Sequence, residues 1–258
     1  MLLCVDIGNS NIVLGCYGDD NIVFCSRISS DKSRLGDQYA VEIKDILLLY
    51  GIELSLIKNA IVSSVVPALT EPFVHSIEVI FGFQPLVVSP GLKTGLNIKI
   101  DDPAQLGSDF VAGAVAAKHK YPLPIIVIDM GTATTFSIIS KAGDFLGGAI
   151  MPGLRVATEA LVNKTSLLIQ ISYDAPKNPL GTNTSDSMKS GAIFGTASMI
   201  DGMCRKYFKE LGETATIVAT GGLAASVIPF CECEIIHDDL LLLDGLKLIF
   251  DKNSNHGK

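Results

Sequence analysis

The chain has 258 residues, 48% hydrophobic and 18% charged, which supplies a sizeable core for one large domain or two lobes and leaves little room for long disorder. A formal net charge of −7 argues against sequence-independent nucleic-acid binding, so an anionic ligand would be met by local backbone NH groups and a metal rather than by a basic field. Met1-Leu2-Leu3-Cys4-Val5-Asp6 lacks the pattern of a signal peptide, and no apolar run is long enough to span a bilayer. The six cysteines form no CxxC pair, and Cys231-Glu232-Cys233 offers too few ligands for zinc. A reduced cytoplasmic protein without membrane or nucleic-acid partners is the expectation.

In chain order, Leu2–Ile7 reads as a strand that turns at Gly8, resumes over Ile12–Tyr17, and returns through Asp19-Asp20-Asn21 into Ile22–Ile28. Gln38–Gly51 has helical spacing, with Tyr39, Ile43, Ile46, Leu47 and Tyr50 on one face. Asn59–Val66 is a buried strand closed by Pro67, Leu69–Phe81 a helix, Pro85–Ser89 a strand, and Leu106–His119 a helix of small residues. The plan then repeats. Ile125–Met130, Thr134–Ser140 and Phe145–Met151 read as three strands, followed by helices over 155–162 and Ser187–Leu211. Thr214–Thr220 is a strand ending at Gly221-Gly222, Ile235-Ile236 a further short strand, and Asp244–Phe250 a closing helix. The expected boundary falls near 120–124, giving lobes of 1–121 and 122–258.

Two positions concentrate chemistry. Asp6-Ile7-Gly8-Asn9-Ser10-Asn11-Ile12-Val13 and Asp129-Met130-Gly131-Thr132-Ala133-Thr134-Thr135 each end an apolar strand in a carboxylate and a glycine turn. The glycine permits close backbone approach, and the amides and hydroxyls that follow can donate to phosphate oxygens while the carboxylate suits a cation. Alternatively each Asp is a turn-capping carboxylate at a strand end. No GxxxxGK[ST] or GxGxxG run is present, so neither a P-loop nor a Rossmann turn is indicated. Asp109, in Gly107-Ser108-Asp109, opens a helix; it reads either as a proton acceptor or as a carboxylate favoured by the helix dipole.

A strand–turn–strand phosphate loop in each half, with a Gly-Gly turn near the end, resembles the superfamily of acetate and sugar kinases and actin. Asp6–Asn11, Ser63-Ser64-Val65-Val66-Pro67, Gly107-Ser108-Asp109, Asp129–Thr135, Gly147-Gly148-Ala149-Ile150-Met151-Pro152-Gly153 and Asn183-Thr184 occur in that order, and the succession resembles type III pantothenate kinase over nearly the whole chain. The resemblance implies an α/β fold of two ribonuclease H-like lobes with a nucleotide in the cleft between them. It implies ATP-dependent phosphorylation of pantothenate, the first step towards coenzyme A, with magnesium and a monovalent cation, potassium or ammonium.

Carried over by position, the resemblance makes Asp6, Ile7, Gly8, Asn9, Ser10, Asn11, Ile12 and Val13 the first ATP loop and Thr132 an ATP contact. Asp109 becomes the general base and Asp129 the ligand of the monovalent cation. Gly107, Ser108, Asp109, Phe110 and Thr184 fall on the acceptor side, and a homodimer joined near Ser187–Leu211 is implied. The pattern departs from the family at Phe110, where an arginine is usual, and at Ile100, where a tyrosine is common. A kinase of another small hydroxylated substrate and a nucleotide-binding regulator without turnover therefore stand beside the pantothenate reading.

Overall fold

The computed structural model describes residues 1–18 and 21–254; the expected Asp19-Asp20 turn lies outside the described residues. The elements begin with strands β1 (Leu2–Ile7), β2 (Asn11–Gly18) and β3 (Asn21–Ser29), helix α1 (Gly36–Leu49), strand β4 (Asn59–Ser64), helix α2 (Pro67–Phe81) and strand β5 (Leu86–Val87). A short strand β6 (Asn97–Ile98) precedes helix α3 (Ser108–Lys120). Strands β7 (Ile125–Met130), β8 (Ala133–Ile139) and β9 (Asp144–Pro152) lead to helices α4 (Leu154–Asn163) and α5 (Thr184–Leu211). Strand β10 (Thr216–Thr220), helix α6 (Ala224–Val227), strand β11 (Ile236–His237) and helix α7 (Leu241–Ser254) complete the order.

By internal contacts the chain divides into two units. One is Met1–Gly95 with Asp102–Ala116 and Leu241–Lys258; the other is Leu96–Asp101 with Ala117–Leu240. A single cut near residues 120–124 does not describe this division, because α7 returns to lie against β1 and β4. Segment 96–101 belongs to the second unit for a polar reason: Asn97 Nδ2 donates to Asp144 at 2.8 Å and Lys99 pairs with the same carboxylate at 2.6 Å.

The first unit is built on a five-stranded sheet ordered β3-β2-β1-β4-β5. β1 is antiparallel to β2 and parallel to β4, so residues alternate between two covered faces. Leu3, Val5 and Ile7 join Val62, Tyr39, Ile43, Leu47, Leu69, Phe73 and Ile77 in one core beneath α1 and α2. Tyr50 is not part of that face; it follows the end of α1 and stacks on Phe24 with centroids 4.7 Å apart. α2 starts at Pro67, whose missing NH costs nothing at a first turn, and stops at Gly82 with φ of 74°. Across the sheet, α7 is seated by Leu243 on Gly15 and by a 2.5 Å hydrogen bond from Tyr17 Oη to Asp244.

The second unit repeats the order as β11-β10-β7-β8-β9, extended by β6 beside β9. Ile126, Ile128 and Met130 face a core completed by Ile193, Ala197, Ile200 and Cys204 of α5. α5 begins three residues before the expected Ser187. Asn183 is its N-cap, accepting from the Asp186 NH at 2.9 Å, while Asp186 Oδ2 accepts back from Asn183 Nδ2 at 2.7 Å.

Candidate active site

In the first unit, Ile7 and Ile12 are the last paired residues of β1 and β2, leaving Gly8, Asn9, Ser10 and Asn11 to make the turn. The Gly8 NH donates to the Asn11 carbonyl at 3.0 Å, and a Cβ on Gly8 would lie 3.1 Å from that oxygen. Ser30 braces the loop from the end of β3: its hydroxyl donates to the Gly8 carbonyl at 2.6 Å and its NH to the Ser10 carbonyl at 3.1 Å. Asn9, Ser10 and Asn11 are exposed, whereas the Ile7 and Ile12 side chains are fully buried. Those two isoleucines therefore hold the loop from the core, and only their backbone is open to a nucleotide.

α3 carries Asp109 in its first turn. The Phe110 NH donates to Asp109 Oδ1 at 2.8 Å, so the carboxylate does serve the helix terminus. Burial nonetheless pushes the Asp109 carboxyl above the usual carboxylate range, outweighing the backbone NH groups that draw it down. Gly107 makes room for it: a Cβ there would strike Asp109 Oδ1. Ser108 is committed elsewhere. Its Oγ accepts from Ser63 Oγ at 2.9 Å and from the Ser64 NH at 3.1 Å, and it donates to the Ser64 carbonyl at 3.2 Å. The Ser108 hydroxyl is thus held by β4. Farther along α3, a Cβ on Gly245 would run into the Ala112 carbonyl, so α3 and α7 cross with backbones in near contact.

In the second unit, Met130 and Thr134 are the last paired residues of β7 and β8, and the turn is one residue shorter. The Gly131 NH donates to the Ala133 carbonyl at 3.0 Å, and the Gly153 NH braces the Thr132 carbonyl at 3.0 Å. Thr132 is exposed and Asp129 half-buried. Asp129 lies opposite Thr220 in the β7–β10 register, directly before Gly221. Gly221 has φ of 97°, and its Cβ would sit 2.6 Å from Asp129 Oδ1 and from the Met130 carbonyl carbon; one on Gly131 would sit 3.6 Å from the same Oδ1. Two glycines thus leave beside this carboxylate a cradle that side chains would fill. A carboxylate approached this closely by backbone could serve as one ligand of a bound cation. No group of three or more His, Cys, Asp or Glu side chains able to hold a metal ion occurs among the described residues.

The remaining expected positions are spread out. Thr184 is the exposed first residue of α5. Phe110 is half-buried in the first unit, whereas Ile100 belongs to the second, with its Cγ2 3.8 Å from where a Gly147 Cβ would be. Ser30, Ser63 and Gly153 brace the loops without having been singled out as site residues, Ser63 and Gly153 lying in runs already noted; Gly221 belongs to the Gly221-Gly222 turn that the sequence marked, and Gly245 packs α7 on α3.

Two units of matching strand order, each presenting an Asp-x-Gly hairpin, define the actin-like ATPase and sugar kinase fold. The solved structures agree. A Baf family protein from Campylobacter jejuni, put forward as a transcriptional activator, superposes with a TM-score of 0.61 at 22% identity, covering 98% of this chain and 99% of that one. Component A of (R)-2-hydroxyglutaryl-CoA dehydratase from Acidaminococcus fermentans gives 0.59 at 16% identity, covering 100% and 99%. Within that fold, the family model for type III pantothenate kinase matches residues 2–206. The type III pantothenate kinase of Geotalea uraniireducens is 40% identical over 253 residues, covering 98% of this chain and 99% of that one. The chain belongs to the type III pantothenate kinase family.

Proposed function

We propose that this chain phosphorylates the primary hydroxyl of pantothenate with ATP, and that Asp109 is the base that receives the hydroxyl proton. The observation that carries the assignment is the Asp109 carboxylate itself, half-buried, shifted upward by that burial, and given room by Gly107. Phosphoryl transfer needs positioning and charge neutralisation more than covalent help, so a carboxylate that accepts one proton as the new bond forms is sufficient. The backbone amides from Asp6 to Val13 and the Thr132 hydroxyl orient the phosphates. Asp129 holds a monovalent cation, which when bound supplies positive charge beside the phosphates, and magnesium accompanies ATP. Phe110, next to Asp109 in the first unit, lies on the acceptor side. The test is ADP release with pantothenate as the sole acceptor, in the native chain and in Asp109→Asn; no release from the native chain overturns the reading.

One observation favours a narrower variant. Phe110, half-buried beside the base, gives no charged hydrogen bond, which is typically worth about 1.5–3 kcal/mol. Pantothenate should accordingly bind weakly, and Phe110→Arg should lower its KM by about one to two decades. No turnover with pantothenate in either form, combined with turnover of a less polar alcohol, would transfer the assignment to that alcohol.

The homodimer is part of the same proposal, and α5 supports it. Gly191, Gly195 and Gly202 lie in this 28-residue helix with open space where each Cβ would be. A mid-helix glycine costs about 0.5–1 kcal/mol relative to alanine, and nothing among the described residues lies where these three Cβ atoms would be. Close packing against α5 of a second copy would account for them. Gly195→Lys should convert a dimer to a monomer by sedimentation; an unchanged mass removes α5 from the interface.

A further inference from the structure

We propose that Ser63 and Ser108 form a positioning clamp that sets the base-bearing helix against the first phosphate loop. The inference rests on the assignment of Asp109 as base and adds how that base is aimed. Asp6 and Ser63 are register partners on the parallel pair β1 and β4, so Ser63 stands beside the strand residue that opens the phosphate loop. Ser63 shares the sheet face of Asp6; its neighbour Val62 faces the opposite core. A serine on that face, 0% exposed, must find a hydrogen-bond partner or bear the cost of an unpaired hydroxyl. It finds Ser108 Oγ at 2.9 Å, 45 residues away in sequence.

Ser108 answers with more than one bond. Its Oγ also takes the Ser64 NH at 3.1 Å and returns a proton to the Ser64 carbonyl at 3.2 Å, so one hydroxyl fastens to both the side chain and backbone of β4. The strand end is stiffened in turn by Thr70 Oγ1, which donates to Ser64 Oγ at 2.8 Å. Asp109 is the next residue after Ser108, and Gly107 before it leaves the carboxylate one lane to occupy. The chain from Asp6 through Ser63 and Ser108 to Asp109 therefore fixes where the proton acceptor stands relative to the strand that carries the phosphate loop. Neither serine touches the reacting atoms; they act through Asp109.

The experiment is a double-mutant cycle in steady-state kinetics with ATP and pantothenate. Ser108→Ala should lower kcat roughly 10- to 10²-fold with the KM for ATP unchanged, because misplacement of a catalytic group by about 1 Å has effects of that size. Ser63→Ala removes one bond of three and should cost less, and Ser108→Thr, which keeps the hydroxyl, should retain most of the turnover. The decisive arm is Asp109→Asn, in which Ser108→Ala should cost almost nothing further. Equal losses from Ser108→Ala in both backgrounds, or native kcat in Ser108→Ala, would overturn the clamp. Native kcat in Asp109→Asn would instead overturn the base assignment. Thermal unfolding of each variant separates loss of aim from loss of fold, and a kcat loss in Ser108→Ala that follows only the fraction unfolded counts against the clamp.

Discussion

The two units start from one strand order and end in different devices at equivalent places. Asp6 pairs with Ser63 on the parallel neighbour strand, and Asp129 pairs with Thr220, both partners being buried hydroxyl residues. The next residue separates the units. In the first it is Ser64, whose backbone grips Ser108 and with it the helix that bears Asp109. In the second it is Gly221, whose φ of 97° brings backbone against Asp129. One set of residues anchors the helix that carries Asp109, the proposed base, and the other brings backbone against Asp129. The two hairpins thus differ after the fourth strand of each unit as well as by one residue in the turn.

If that division of labour is right, Asp109→Asn should do the most harm to turnover and the least to nucleotide. The expected loss in kcat is about 10²–10⁴-fold with ATP affinity retained, measured by ADP release and by titration with ATP. The pH profile should carry the same mark. The base works deprotonated, and burial raises its pKa, so kcat should fall as pH drops through a value above the roughly 3.9 of a free aspartate. An acid limb at or below that value would show that Asp109 is not the titrating base.

Gly221→Ala should injure the second unit through its backbone. A left-handed conformation forced on alanine costs about 1–3 kcal/mol, and the new Cβ meets Met130 backbone as well as the Asp129 carboxylate. Denaturant unfolding should register that loss together with weakened ATP binding; an unaltered midpoint would deny the close approach. The cation arm comes next. Activity at constant ionic strength should rise on replacing sodium by potassium or ammonium, and Asp129→Ala should abolish the rise while Asp109→Asn preserves it in the residual rate. Equal rates in all three salts would remove the cradle's purpose. Gly107→Ala should be the mildest, since Gly107 has no left-handed φ and its Cβ clashes with the end of the Asp109 side chain while meeting Phe110 Cδ2 only at 3.4 Å. Roughly tenfold lower kcat at unchanged stability is expected, from a base moved aside.

Much of this was legible locally. The apolar runs before Asp6 and Asp129 alternate or persist at strand length, and the glycine after each marks the turn, so both hairpins and their carboxylates follow from neighbouring residues alone. β6, only Asn97–Ile98, is too short to leave a period, and its place is set by Asn97 and Lys99 finding Asp144 across the fold. Thr184 and Ser185 are weak helix formers, which hid the true start of α5 behind the Asn183 cap. Ser63 and Ser108 each look like ordinary polar residues at an element's edge, and only tertiary structure joins them. Gly245 reads as a weakness in a helix until its approach to Ala112 is seen.

The return of α7 to the first unit has a consequence for the order in which the protein can be made. α7 follows the whole of the second unit in sequence, yet it supplies Leu243, Asp244 and Gly245 to Gly15, Tyr17 and Ala112 of the first. On the ribosome, β1 to β5 emerge early with one sheet face still bare, and helix α3 has nothing to cross until synthesis is nearly finished. The second unit can close on its own residues before that moment. Helix α3 therefore gains its crossing partner last, and a nascent or prematurely terminated chain lacking residues 241–254 would keep the loop at Asp129 while α3 lacked its packing at Ala112.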